Sequence, residues 1–162
     1  MESNNKRGIG QEHPKSYLIQ FLAAIIFFSL WILDSFIFMF STVLSSFIPF
    51  LIRLILFLGL LVIGCFLIFR TGHILFHDEK LSSKLIKTRI FAHTRHPLYL
   101  GILILYLSLI LLTVSLISII GFIIVFFLYD RIATFEEKNL EKVFKEEYLE
   151  YKQTVPKWFP RF

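Results

Sequence analysis

A chain of 162 residues, 56% of them hydrophobic, with a mean hydropathy of +0.72, carries more apolar surface than a soluble domain of its size can bury. Its single cysteine, Cys65, sits inside an apolar run and excludes both an internal disulfide and a zinc site built on cysteine pairs. The net charge of +5 comes from Lys and Arg that flank apolar runs, which points to membrane orientation and anionic headgroups and away from nucleic acid.

The polar start carries Lys6, Arg7 and Lys15. An apolar run follows over about 17–40. It is too long for a signal-peptide core and no small-x-small cleavage site follows it, so it predicts an uncleaved first span. Residues 41–49 form a Ser-rich turn, and a second span is expected over about 50–69, since about twenty helical residues cross a hydrocarbon core of about 30 Å. A polar segment occupies 70–97. The next apolar stretch is too long for one span, and Thr113-Val114-Ser115 is its only polar break. That pattern predicts a tight hairpin of two short spans, about 98–112 and 116–130. Beyond it Leu140, Phe144, Tyr148 and Tyr151 mark one face of an amphipathic helix over about 134–152, with Lys and Glu opposite. This helix is expected to lie along the headgroups, with Trp158 and Phe159 as interfacial anchors.

The expected fold class is therefore all-α integral membrane: a single domain over 1–162 with four transmembrane helices and a C-terminal amphipathic helix. Arg70, Lys80, Lys84, Lys87, Arg89 and Arg95 lie between spans two and three, and Arg131 and the later basic residues follow span four. With the basic N-terminal segment, this bias puts both termini and the central loop in the cytoplasm of a multi-pass protein, in the plasma membrane of a prokaryote or the endoplasmic reticulum of a eukaryote. Asp34 and Arg53 are the two charges inside the apolar spans. Each is costly alone, and their similar distance from the 41–49 turn predicts an ion pair near the outer face. Nothing in the sequence sets an oligomeric state.

Two polar segments carry chemistry. The first is Arg95-His96-Pro97-Leu98-Tyr99-Leu100-Gly101. Pro97 suits the first turn of a helix, where its missing N–H costs nothing. The free N–H groups of that turn attract anionic ligand groups, and Gly101 leaves room for a ligand or a neighbouring helix. The second segment contains Arg131 and the pair Glu136-Glu137. Glu137 extends the apolar stripe, so the pair points towards the membrane boundary. On a continuous helix Arg131 is rotated well away from Glu136; a break near 132–134 would re-aim it. His73 and His77 read as interfacial residues, no HExxH motif occurs, and Gly8-Ile9-Gly10 lacks the preceding strand of a dinucleotide-binding turn.

The His-Pro motif at a span start, a helical hairpin, and then Glu-Glu-x-x-Leu-x-x-x-Phe-x-x-x-Tyr-x-x-Tyr resemble the isoprenylcysteine carboxyl methyltransferase family. The pattern is similar also to the related membrane phospholipid methyltransferases. The resemblance covers about 76–160. It implies a pocket for S-adenosyl-L-methionine between the two segments, lined by His96, Pro97, Leu98, Tyr99, Glu136 and Glu137, with Leu85, Ile86 and Phe91 from the preceding loop. The chemistry agrees: carboxylates pair with the cofactor's ammonium, aromatic faces favour its sulfonium, and a helix start binds its carboxylate.

This chain has Arg89-Ile90-Phe91 where the family usually has Gly-x-Tyr, and Ile132 where it has a substrate-binding arginine, with Arg131 one residue earlier. His77 falls near a cofactor-contacting glutamine of the family, one residue out of register. The implied reaction is methyl transfer to a lipophilic acceptor from the bilayer, foremost a prenylcysteine-like carboxylate held by Arg131. A phospholipid amine acceptor would need His96 or His93 as base. An NADPH-dependent sterol-type reductase, which shares Arg-His-Pro-x-Tyr, and a non-catalytic scaffold are the remaining readings.

Overall fold

The computed structural model describes residues 16–77 and 85–159, with the backbone alone at 76 and 77. The expectations resting on Lys6, Arg7, Lys15, Lys80, Lys84, the His77 side chain and Gly8-Ile9-Gly10 lie outside the described residues. Among those residues the fold is all helical. α1 spans Ser16–Ile32 and passes directly into a π-helical stretch, Leu33–Phe38. α2 spans Phe50–His77, α3 Pro97–Thr113, α4 Leu116–Phe144 and α5 Glu146–Thr154. Three helices, Ser16–Phe38, Phe50–Leu75 and Leu116–Phe144, are long and apolar enough to cross a membrane; α3, at 17 residues, is apolar but shorter. The outward faces of α1 and α2 expose Phe, Leu and Ile along most of their length, as surfaces solvated by lipid tails do.

The hairpin at 113–115 forms as its polar break suggests. Val114 closes α3 in the left-handed region at φ 51°, and Ser115 caps α4 by accepting a bond from the Ser118 N–H. α3 runs along α2, and α1 runs along α4. The α2–α3 crossing is made at glycines: a Cβ on Gly101 would lie 2.9 Å from Ile68 Cγ1 and 3.0 Å from the Gly64 carbonyl oxygen. The room at Gly101 therefore admits a neighbouring helix, as small residues do in membrane helix pairs.

Several expectations are revised. α2 continues through the polar residues 70–77 instead of ending at 69. α4 is unbroken through 132–134 and ends at Phe144, so the span and the start of the amphipathic segment are one helix. The break falls at Lys145, with φ 46° and ψ −123°, and there the apolar stripe folds on itself: Leu85, Leu140 and Phe144 pack against Tyr148, Tyr151 and Val155. A stripe that could have faced headgroups is the inner seam of a helical corner. Phe159 is exposed, whereas Trp158 is buried in the core.

Asp34 and Arg53 do not pair. The Asp34 carboxylate accepts bonds from the Ser41 N–H and hydroxyl, at 3.0 and 2.5 Å, and from the Ser115 hydroxyl. Arg53 donates to the carbonyls of Leu112, at 2.8 Å, and Ile48, at 3.1 Å. Each charge is satisfied separately, yet both hold the same α3–α4 turn. A helix C-terminus offers carbonyls to a cation and a helix N-terminus favours an anion, so one turn serves both signs.

Candidate active site

At the other end of α3 from that turn, the chain approaches through a 3₁₀ turn, Arg89–Ala92, whose first residue is left-handed at φ 59°. Arg89 stands where the resembled family usually has glycine, the residue that takes a positive φ at no steric cost. His96 precedes Pro97, the first residue of α3, and makes no side-chain cap, so the α3 N–H groups are not capped by its ring. Pro97, Tyr99 and His96 are buried, and Leu98 is half-buried.

α4 brings Glu136 and Glu137 to this helix start. His96 Nε2 lies 3.0 Å from Glu137 Oε1, although the two residues are 41 positions apart. Arg95 Nη1 lies 3.0 Å from the same oxygen, an ion-pair contact not aligned as a hydrogen bond. Tyr99, 37 positions from Glu136, donates its hydroxyl to Glu136 Oε1, and His96 Nδ1 stands 3.8 Å from Glu136 Oε2. The His96 and Tyr99 rings are stacked at 5.7 Å, and Tyr99 meets Tyr129 edge-on at 5.4 Å.

Burial holds the His96 imidazole below its ordinary range, against the opposing pull of the Glu137 carboxylate. The ring is therefore neutral near pH 7. A carboxylate only accepts, so Nε2 carries the proton and donates to Glu137, leaving Nδ1 with a lone pair. Burial also raises the phenols of Tyr148 and Tyr151. They stay neutral beneath the cluster.

The other candidates are placed differently. Phe91 is half-buried and its carbonyl accepts the Tyr151 hydroxyl at 2.7 Å; Leu85 packs on Tyr148, Tyr151 and Val155. Both tie the approach segment to α5, with Ile86, half-buried, between Leu85 and Lys87. Arg131 is not brought into the cluster. It is exposed beside Asp130, while Ile132 and Ala133 take the inward face; on unbroken helix it is rotated about 140° from Glu136. A groove bounded by Lys87, Ala92, Glu150, Tyr151, Thr154 and Val155 includes none of the carboxylate–histidine cluster.

The sequence places Arg95 in the motif at the α3 start without assigning it to the pocket, and marks Trp158 as an interfacial anchor. Trp158 is 9% exposed and packs 5.9 Å from the His96 ring. One signal was available: Asp130, an acid at the end of an apolar run, accepts the Trp158 indole N–H at 3.0 Å.

The donor set fits a zwitterionic, cationic ligand. Two carboxylates and two aromatic faces suit positive charge, the uncapped α3 start suits a carboxylate, and Arg95 Nε is a buried polar atom without a hydrogen-bond partner.

Among the described residues, an apolar helical bundle carries a buried carboxylate–histidine cluster at the end of a short helix, the arrangement of a multi-helix membrane protein with a polar site at one end. Residues 50–147 match the model of the phospholipid methyltransferase family, and the chain belongs to that family. It is also similar to Protein-S-isoprenylcysteine O-methyltransferase of Saccharomyces cerevisiae (strain ATCC 204508 / S288c), 34% identical over 111 residues, which is 58% of this chain and 46% of the yeast protein. The chain thus aligns with about half the length of that relative. No solved structure matches it.

Proposed function

We propose that the protein is a membrane-embedded, S-adenosylmethionine-dependent methyltransferase whose acceptor is lipophilic, foremost the carboxylate of a prenylcysteine-like molecule. The observation that carries this reading is the meeting of the α3 start with the acidic pair of α4, through His96–Glu137 and Tyr99–Glu136. In it, Glu136 and Glu137 hold the cofactor's ammonium, and the first N–H groups of α3, after Pro97, hold its carboxylate. Leu98 and the Tyr99 ring line the pocket. Leu85, Ile86 and Phe91 serve by fixing the approach segment. When bound, the cofactor supplies an electrophilic methyl on a sulfonium.

The protein's own work is positioning and exclusion of water. A carboxylate acceptor is already anionic and needs no base, so alignment in a desolvated site supplies the rate. Arg131, exposed on α4 and turned away from the cluster, serves in this reading only as an entry contact for that carboxylate, outside the place of transfer. α3 serves as a fourth, short span. The basic residues near the cluster put this end, with both termini, at the cytoplasmic face.

A second reading has its own support, since the matching family is described as phospholipid methyltransferase. A phospholipid amine must lose a proton, and neutral His96 offers Nδ1 as the acceptor.

Isothermal titration of S-adenosylmethionine into protein in lipid nanodiscs tests the pocket. Binding is expected, and is expected to vanish in Glu136→Ala/Glu137→Ala; unchanged binding in that double variant would reject the assignment. Mass spectrometry after incubation with labelled cofactor and either farnesylcysteine or phosphatidylethanolamine separates the two acceptors.

A further inference from the structure

The chain after α5 lies beyond the stretch matched by the family, and it has a structural task of its own. Pro156 cannot continue a helix, and Val155 leaves α5 extended at φ −112°, ψ 127°. The segment 155–159 then crosses the candidate site and is bonded on both sides. Towards the α3 approach, the Pro156 carbonyl accepts the Arg95 N–H at 3.0 Å, and the Lys157 carbonyl accepts the Thr94 hydroxyl at 2.9 Å. Towards α4, Lys157 Nζ donates to the Asp130 carbonyl at 3.1 Å and to Thr134 Oγ1 at 2.8 Å, and pairs with the Asp130 carboxylate. The Trp158 N–H donates to the same carboxylate at 3.0 Å.

We propose that 155–159 is a strap that fixes the His96 ring between Tyr99 and Trp158, which makes Trp158 a positioning residue of the site. The Tyr99 ring stacks on His96 at an interplanar angle of 8°, and the Trp158 ring lies against it at 41°, itself braced by Phe126 at 5.7 Å. The edge of the imidazole is bonded to Glu137. A ring so enclosed keeps one orientation and stays dry.

The groups facing it are Glu136 and Glu137 from α4, Arg95 beside it, Tyr99 from α3, and Lys157 and Trp158 from the strap. The indole shields that ring from water, and its desolvation is the largest influence on the imidazole's charge. Losing the indole lets water in and moves His96 back towards its ordinary titration. The proposal takes its functional meaning from the methyltransferase reading, but its geometric core stands without it.

The test follows the His96 ring protons by NMR against pH in full-length protein in nanodiscs, with His96→Gln to assign the resonance. Trp158→Leu is expected to raise the His96 titration by about 0.5–1 unit, and Trp158→Phe, which keeps an aromatic ring, to restore it. Thr94→Val removes one tie of the strap, the bond to the Lys157 carbonyl, without altering charge and is expected to shift His96 in the same direction by less; it serves also if Trp158→Leu does not fold. In parallel, Trp158→Leu should weaken S-adenosylmethionine binding about tenfold, or about 1.4 kcal/mol, with recovery in Trp158→Phe. Unchanged His96 titration in folded Trp158→Leu, or in Thr94→Val should Trp158→Leu not fold, overturns the proposal. If wild-type protein binds no S-adenosylmethionine while the titration moves as expected, the cofactor reading fails and the strap stands.

Discussion

Replacing Glu137 by Gln tests the electrostatic centre of the molecule. The Glu137 side chain is 6% exposed and that of Arg95 10%, so neither charge is screened by water. One oxygen, Oε1, serves both Arg95 Nη1 and His96 Nε2 at 3.0 Å. The amide keeps a carbonyl that can accept from His96 but removes the counter-charge of a buried guanidinium. Removing one partner of a buried pair costs about 3–5 kcal/mol, and a retained neutral hydrogen bond returns about 1 kcal/mol. The expected loss is thus about 2–4 kcal/mol. Reversible unfolding by denaturing detergent in mixed micelles measures it. Arg95→Met in the Glu137→Gln background takes away the stranded charge, so the double variant should lose less than the sum of the two single variants. A loss below about 1 kcal/mol for Glu137→Gln, or strict additivity with Arg95→Met, would refute the buried-pair argument.

Lys145 is exposed and held at φ 46°, ψ −123°, a region nearly reserved for glycine; Lys145→Gly should stabilise the protein by about 1–3 kcal/mol in the same unfolding assay, while Lys145→Ala should not. Asp34→Ala and Arg53→Gln should each destabilise, with a coupling below about 1 kcal/mol, because their bonding partners are separate; a larger coupling would show that the two act as one unit on the α3–α4 turn they share. The His96 pKa is lowered on folding, so between its folded value and about 6.5 the unfolded chain binds more protons. Stability should therefore fall as pH drops below about 6.5, and His96→Gln should remove that component of the pH profile.

Long apolar runs were readable because lipid demands about twenty apolar residues per crossing whatever the neighbours. The turn at 113–115 was readable because it is the one polar interruption, and Pro97 announced the start of α3 by its own covalent geometry. Arg131 shows the limit. Whether it joins Glu136 depends on the continuity of α4, and the unbroken helix leaves it outside. The amphipathic stripe shows another: Leu140, Phe144, Tyr148 and Tyr151 mark an apolar face, but periodicity does not say whether lipid or protein covers it. The strained backbone at Lys145 folds the stripe onto itself.

The sequence alone therefore determined what is local in origin: the helical class, the membrane environment, the α3 start and the two motifs. Tertiary structure decided the partners. It satisfied Asp34 and Arg53 separately, placed Arg95 and His96 on one oxygen of Glu137, and drew Trp158 into the core. Local preferences are written in a few neighbouring side chains. Pairing across dozens of residues is chosen by how whole helices pack, and by the need to satisfy every buried polar group at once.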